Sequence, residues 1–181
     1  MIKNSTALIA TLLLSLFTLL LKAEDAPKKA GPDMQKLAFM TGKWKLDEVD
    51  EATPFSPAGK AAFTAETRFL YNDYFIQERG TGKVADLAVS YTVLTHYDAG
   101  AHLYRSLYYD SNGAVIHSDG TVEGHTIKGS GEQEVNGRKY RIKSYATFSE
   151  DGKTFNYEWS YSEDGVTWKP IFKGTGTRTG K

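Results

Sequence analysis

Apolar and polar residues alternate along most of the chain from Gly42 onward, and this period of two predicts β-strands with one buried face. The alternation is clearest over residues 138–148, where one parity is mostly apolar and the other is charged or polar. Residues 155–161 repeat it, with an aromatic ring at every second position. Similar runs cover residues 62–71, 74–79, 88–97 and 102–109.

Residues that favour turns separate these runs, at positions 72–73, 98–100, 111–113 and 119–120. Two near-copies, at 149–155 and 162–168, predict two successive turns, each followed by an aromatic residue that returns to the sheet. We also interpret residues 80–82, Gly-Thr-Gly, as a turn. About ten strands joined by short links predict an all-β fold, an antiparallel up-and-down barrel of about 8–10 strands. Closure of the barrel removes exposed edge strands.

The first 32 residues do not share this pattern. Lys3, the apolar run over 6–21 and the small residue Ala23 predict a signal peptide over 1–23, which points to a secreted or periplasmic bacterial protein with no membrane span after cleavage. Residues 24–32 are rich in charge, Pro, Ala and Gly and predict a flexible linker. The barrel domain is predicted over 33–181, with Asp33 as the N-cap of a short helical turn.

Composition narrows the choice of partners and cofactors. The chain has 22 Lys and Arg residues against 22 Asp and Glu residues, a balance that argues against a nucleic-acid-binding protein. It contains no Cys, which excludes disulfides, thiolate metal sites and catalytic thiols. We therefore expect a protein that is stable without disulfides.

Several ordered motifs carry a resemblance to a known group of proteins. The opening Gly42-Lys43-Trp44 follows a short apolar segment, and 66–68, 97–98, 109–113 and a last strand rich in Gly and Thr come after it in order. Together they resemble an uncharacterised bacterial family of lipocalin-like domains within the calycin superfamily, a domain of unknown function. The likeness covers roughly residues 34–180 and implies a calycin-like barrel, without an activity.

The resemblance also implies structural roles for three residues. In lipocalins the tryptophan of the Gly-x-Trp motif closes one end of the barrel, and an arginine from the last strand covers it. Gly42, Trp44 and Arg178 match these positions. A guanidinium group on an indole ring would then stabilise the closed end.

Two sets of residues are candidates for a ligand site inside the barrel. Glu66, Arg68 and Gln77 come from neighbouring strands, where Arg68 could bind a carboxylate that Glu66 orients. The alternative is a cross-strand ion pair on the outer surface, which contributes under about 1 kcal/mol. The second set consists of aromatic residues that suit an amphipathic ligand. It contains Tyr91, Tyr104, Tyr108, Tyr157 and Trp159.

Metal and cofactor sites find little support. His96, Asp98 and His102 surround one turn and could offer ligands to zinc or copper, although two exposed histidines are the simpler interpretation. Some barrels of this superfamily bind haem through a histidine near the C-terminus, and no histidine follows His125 here. We predict no catalytic residues, no metal and no cofactor.

The pattern favours a barrel that binds a small hydrophobic or amphipathic molecule. Two alternatives remain open. One is a filled structural barrel that binds a protein or glycan through its loops. The other is a hydrolase or isomerase for a hydrophobic substrate, with Glu66 or Glu158 as a buried carboxylate. The volume of the internal cavity distinguishes the first alternative from a binding barrel, because a barrel of this size can either hold one small ligand or be filled by side chains.

Overall fold

The structure is a computed structural model that describes residues 29–181. An α-helix, α1 (Pro32–Gln35), and a 3-10 helix (Ala38–Met40) precede ten strands. The strands are β1 (Gly42–Asp50), β2 (Gly59–Leu70), β3 (Phe75–Val84), β4 (Leu87–Asp98), β5 (Leu103–Asp110), β6 (Val115–Glu123), β7 (Thr126–Val135), β8 (Arg138–Phe148), β9 (Thr154–Ser162) and β10 (Lys169–Gly180). No helix between residues 29 and 181 is long and apolar enough to cross a membrane.

Each strand pairs antiparallel with its neighbour in sequence, and β10 pairs with β1 to close the sheet into a barrel. The prediction of an all-β up-and-down barrel is therefore confirmed. The predicted signal peptide and most of the predicted linker lie outside the described residues.

Side chains alternate between the inside and the outside of the barrel along each strand. In β1, Trp44, Leu46 and Asp50 are buried while the residues between them are mostly exposed. In β2 the inner set is Ala61, Phe63, Ala65 and Thr67. One parity of each strand therefore forms the inner wall.

The interpretation of residues 80–82 as a turn is wrong, because they continue β3. Gly80 and Gly82 lie on the inner face of this strand, where the rings of Tyr91 and Phe63 pack against them. A Cβ atom at either glycine would collide with these rings. The glycines here make room for neighbouring aromatic side chains rather than reverse the chain.

The N-terminal helical segment covers one end of the barrel, which we call the closed end. Met34 and Leu37 are buried there against Ile76 and Tyr104. The prediction of Asp33 as N-cap is wrong: Gly31 occupies that position, and Asp33 lies inside the first turn. Its carboxylate instead pairs with Lys36 at 2.6 Å.

The loop between β1 and β2 covers part of the opposite end. The Phe55 ring packs edge-on against Tyr140 at 5.1 Å and against Tyr161 at 5.3 Å between centroids. At the closed end, the first predicted Ser-Glu-Asp-Gly turn joins β8 to β9, and the second joins β9 to β10 at this opposite end. In the first turn the Ser149 hydroxyl and the Lys153 backbone N–H donate to Asp151, and in the second the backbone N–H groups of Thr167 and Val166 donate to Asp164. These hydrogen bonds lower the pKa of both aspartates.

Candidate functional site

Trp44 and Arg178 meet at the closed end. The guanidinium carbon of Arg178 lies 4.2 Å from the centroid of the Trp44 ring. Its Nε donates to the Gly152 carbonyl at 2.6 Å, and its two terminal nitrogens donate to the carbonyls of Phe39 and Thr41. Every nitrogen of this cation therefore has an acceptor, and the arrangement joins the helical segment to the last strand.

Gly42 completes this arrangement. Its φ is +132°, and a side chain at this position would collide with the Arg178 guanidinium. The three residues thus form one packed unit, whose parts come from both ends of the domain.

The polar set that we predicted inside the barrel lies outside it. Glu66 and Arg68 are exposed, and they occupy the opposite parity of β2 from the buried Ala65 and Thr67. Gln77 is the register partner of Arg68 on the same outer face. Glu66, Arg68 and Gln77 therefore do not line the interior, so this prediction is wrong. The buried apolar parity of β2 decides the orientation.

The candidate catalytic carboxylates do not face the interior either. Glu158, like Glu66, is exposed on the outer face of its strand. An exposed carboxylate lacks the apolar pocket that a buried general base requires. Neither residue fits the role of buried base.

The five predicted aromatic residues all lie on the inner face. Tyr104 belongs to the closed end, where its hydroxyl donates to the Asp33 carbonyl at 2.6 Å. The other four gather in the middle of the barrel. Tyr91 stacks on Tyr108 with centroids 5.9 Å apart, and Tyr108 lies 6.0 Å from Trp159. Because Tyr108 is on β5 and Trp159 is on β9, this contact spans the barrel.

Phe172 extends this group, although we did not predict it. Its ring stacks on Trp159 at 5.5 Å and contacts Tyr157 at 6.0 Å between centroids. It reaches the inner face through a register shift between Pro170 and Phe172. A shift of this kind changes the parity of a strand and is not visible in an alternating pattern.

Three carboxyl groups lie among these rings, and the sequence analysis missed all of them. Glu48 and Asp50 continue the inner parity of Trp44 and Leu46 on β1, and Glu78 continues that of Ile76 on β3. The signal was present in the sequence: each carboxylate stands on the apolar parity of its strand.

Two of the three carboxyl groups receive hydrogen bonds from tyrosines. The Tyr157 hydroxyl donates to Oε2 of Glu48 at 2.8 Å, and the Tyr91 hydroxyl donates to Oε1 of Glu78 at 2.7 Å. The buried Thr67 hydroxyl donates to the other oxygen of Glu78 at 3.3 Å. By contrast, Oδ1 of Asp50 is buried and has no hydrogen-bond partner among residues 29–181.

Burial dominates the acid–base properties of this cluster. It raises the pKa of Glu48 to about 7, helped by the neighbouring Asp50 and opposed by the Tyr157 hydroxyl. Burial also raises the pKa of Asp50 and of Glu78. It raises the pKa of Tyr108 as well, helped by the Asp110 carboxylate, which accepts a hydrogen bond from the Tyr108 hydroxyl at 3.0 Å, and to a smaller extent by the charges of Glu48 and Asp50. These groups therefore share one desolvated interior.

Small residues occupy the middle inward positions of β5 to β8. Ser106, Ser118 and Ser144 face inward but remain partly accessible to solvent. The inner positions between them include Gly120, Gly129 and Gly131. Only the middle of this wall contributes little side-chain volume to the interior, because large inward residues lie next to these positions, namely Ile116, Tyr140, Ile142 and Phe148.

The predicted alternative of a metal site does not assemble. Asp98 pairs with Arg105 at 2.9 Å, and Nδ1 of His102 lies 3.4 Å from the Tyr97 hydroxyl. His96 packs its ring against Phe75 instead. In the part of the chain that the structure covers, no three His, Cys, Asp or Glu side chains converge on a possible metal position.

Two grooves open on the surface of the barrel. The larger, of about 790 Å³, crosses β1, β2, β9 and β10 and is lined by the outward residues Lys60 and Lys173 and by the inward residues Glu48 and Tyr157. A smaller one, of about 540 Å³, lies between the helical segment and the turn that joins β6 to β7, beside His125. The larger groove therefore reaches the hydrogen-bonded pair of Glu48 and Tyr157.

Comparison with known proteins supports the fold and places the chain in a family. No curated protein matches the sequence. The chain is similar to the crystal structure of Rv2717c from M. tuberculosis, with a TM-score of 0.62 and 11% sequence identity over 83% of this chain and 99% of that one. At this identity the likeness concerns the fold alone. Residues 29–178 match the family described as "Protein of unknown function (DUF1579)", and the chain belongs to that family.

Proposed function

We propose that the interior of the barrel binds a small apolar or amphipathic molecule. The observation that carries this proposal is the composition of the inner wall. Aromatic rings that carry polar groups, from Tyr91, Tyr108, Tyr157 and Trp159, line one part of it. Ser and Gly residues line the part over β6 to β8. Pockets for small molecules combine such an apolar lining with a few placed polar groups.

Partial solvent access to inward side chains supports a cavity over a filled core. A packed interior leaves few voids and excludes water from inward side chains. Ser106, Ser118 and Ser144 are instead partly exposed to solvent. Oδ1 of Asp50 also lacks a partner within residues 29–181, and a filled apolar core would leave it so. An open interior satisfies both observations.

Calorimetric titration of the full chain with 1-decanol tests this proposal. We expect one binding site per chain. Ser144→Leu places an isobutyl group on the inner wall and should weaken decanol binding at least tenfold, because it occupies the space of the ligand. Ser130→Leu is the matched control, since Ser130 is exposed on the adjacent strand. It should change the affinity less than twofold.

Two outcomes would contradict the proposal. Wild-type protein that binds no decanol would show that the interior is filled. Equal affinities for the wild type and Ser144→Leu would place the probe on an outer groove. Thermal unfolding of both variants, followed by circular dichroism, checks that each remains folded under the conditions of the titration.

We further propose that the barrel is of the calycin type and that the protein is exported. The Gly-x-Trp opening with Arg178 stacked on Trp44 supports the first point. The charged and apolar sequence over residues 1–23 supports the second. Cell fractionation tests export: the account expects the protein in the periplasm or the medium, shortened at its N-terminus.

A further inference from the structure

Asp50 is a buried acidic group with no cation beside it, and its neighbours are the Ser56 hydroxyl and the Glu48 carboxyl group. Its side chain is on the inner face of β1, and the residue is only 4% exposed. Oδ1 accepts no hydrogen bond from any described residue. A buried carboxylate oxygen left unpaired is costly, so proteins retain such a group where something else completes it.

Aromatic rings lie next to the Asp50 position on the inner face of the barrel. Phe172 is the register partner of Asp50 on β10, and its ring stacks on Trp159. Trp159 in turn contacts Tyr108, whose pKa is raised by burial and by Asp110, with smaller contributions from the charges of Glu48 and Asp50. Carboxylate groups and aromatic faces therefore border the same space. Both attract a positive charge, the first by direct Coulomb attraction and the second through the ring quadrupole.

No basic side chain among residues 29–181 forms an ion pair with these carboxylates. Arg138 and Lys169 stand on the inward parity at the first residues of β8 and β10, at the opposite end of the barrel, where both are exposed. Arg178 is the third permanent positive charge on this parity. It lies at the closed end, where three backbone carbonyls and the Trp44 ring already occupy it. The interior thus carries acidic groups without a matching cation from the protein.

The positive charge that fits this space is organic rather than metallic. The carboxyl groups of Glu48, Asp50 and Glu78 do not converge on one metal position within residues 29–181. Glu48 and Glu78 already accept tyrosine hydroxyl groups, which leaves Asp50 as the first anchor. Aromatic rings beside a single carboxylate suit an alkylammonium or quaternary ammonium group, whose charge is spread over a larger and partly apolar surface.

We propose that the ligand of this barrel carries a cationic amine or ammonium group, which Asp50 binds with Glu48 beside the rings of Phe172 and Trp159. This inference rests on the proposed function, since it assigns a chemical class to the molecule that the interior binds. The apolar remainder of the ligand extends toward the small-residue wall of β6 to β8.

Three probes of equal chain length separate the charge from the apolar part. The full chain is titrated by calorimetry at pH 8 with decylammonium, 1-decanol and decanoate. Decylammonium should bind at least tenfold more tightly than 1-decanol, and decanoate should bind more weakly than either. Equal affinities for decylammonium and 1-decanol would overturn the inference.

Asp50→Asn tests the anchor, because it keeps the shape of the side chain and removes its charge. It should weaken decylammonium binding about tenfold or more and change 1-decanol binding less than twofold. Asp47→Asn is the matched control on the same strand, since Asp47 is exposed on the outer face. It should leave all three affinities unchanged. An equal loss in both variants would show a general effect of surface charge and would overturn the inference.

A second variant keeps the inference testable if Asp50→Asn does not fold. Phe172→Leu removes one ring but keeps an apolar side chain. It should weaken binding of decyltrimethylammonium at least threefold more than binding of 1-decanol. Equal losses of affinity for the two probes would contradict a role of the Phe172 ring in binding the ammonium group.

The two proposals fail in different ways. If 1-decanol binds in a manner that Ser144→Leu abolishes, while decylammonium binds no more tightly, the interior is a ligand site but the ligand is not cationic. If none of the three probes binds to wild-type protein, both proposals are wrong.

Discussion

The closed end of the barrel and the rest of its interior differ in how their charged side chains are paired. At the closed end, the Arg178 guanidinium donates to three carbonyls and stacks on Trp44. Farther along β1, at its last residue, Asp50 is buried more fully than Arg178, yet one of its oxygens has no partner within residues 29–181. A buried charged group that only stabilises the fold has its hydrogen-bonding atoms paired within the protein. Asp50, whose carboxylate lacks a hydrogen-bond partner for one oxygen, is therefore the better candidate for ligand binding.

Truncation of two inward-facing tryptophans, one buried and one partly exposed, should give the largest contrast. Trp44 is only 2% exposed and packs against Phe148 and Phe155, so Trp44→Ala should lower the free energy of unfolding by about 3–5 kcal/mol. Trp159 is partly exposed inside the barrel, and Trp159→Ala should cost less but weaken ligand binding. Urea denaturation measures the free energy of unfolding of both variants, and calorimetric titration with 1-decanol measures their ligand binding. A loss below about 1 kcal/mol for Trp44→Ala would refute its structural role.

Removal of the two arginines should separate a completed charge from a surface charge. Arg178→Met leaves the Phe39, Thr41 and Gly152 carbonyls without their donor, and we expect a loss of about 2–4 kcal/mol in the free energy of unfolding. Arg68→Met, on the exposed outer face, should change stability by less than about 0.5 kcal/mol. Similar losses in the two variants would remove the distinction.

The carboxyl group of Glu48 should make stability depend on pH. Its pKa in the folded protein, about 7, lies above the ordinary value of 4.5. The folded state therefore retains a proton that the unfolded state has lost, and stability falls as pH rises from about 4.5 to about 7. The loss amounts to about 3 kcal/mol at most.

Glu48→Gln should lack this loss. Between pH 4 and pH 8 the free energy of unfolding of the variant should rise relative to that of the wild type, because the glutamine side chain does not ionise. The groups that face Glu48, namely Asp50, Tyr157 and Tyr91, remain in both proteins. Denaturation at several pH values measures the difference. A difference that is independent of pH would show that Glu48 is not desolvated.

The smallest effects should come from the outer carboxylates. Glu66→Gln and Glu158→Gln replace exposed side chains that contact no described cation in the structure. Each should change stability by less than about 0.5 kcal/mol and leave the affinity for 1-decanol within twofold. A tenfold loss of affinity in either variant would place the ligand site on the outer face.

The barrel was predictable because its signal is repeated in every strand. Alternation and turn residues predicted about 8–10 antiparallel strands, and the apolar inner set of β8, with Tyr140, Ile142 and Phe148, is correctly predicted. The turn predicted at 119–120 is wrong, because these residues lie within β6. The ends of strands are less certain, as Gly80 and Gly82 illustrate. Their role depends on the rings of Tyr91 and Phe63, which come from other strands.

The candidate site was predictable only for its aromatic part. Tyr91, Tyr108, Tyr157 and Trp159 follow from alternation, because rings mark the buried parity. The carboxylates were missed because charged residues are usually exposed, and Glu66 was favoured over Glu78. The better rule in this barrel is to establish the parity from Phe63 and Ala65 first, and only then to ask which charges share it.

Native mass spectrometry of the full chain, isolated gently from its own cells, tests the central claim that the interior is a ligand site. The account predicts one additional small molecule per chain, lost on denaturation, retained by Ser130→Leu and absent from Ser144→Leu. The same additional mass in both variants would place the molecule outside the barrel. A bare protein mass in the wild type as well would contradict the claim that the interior is occupied.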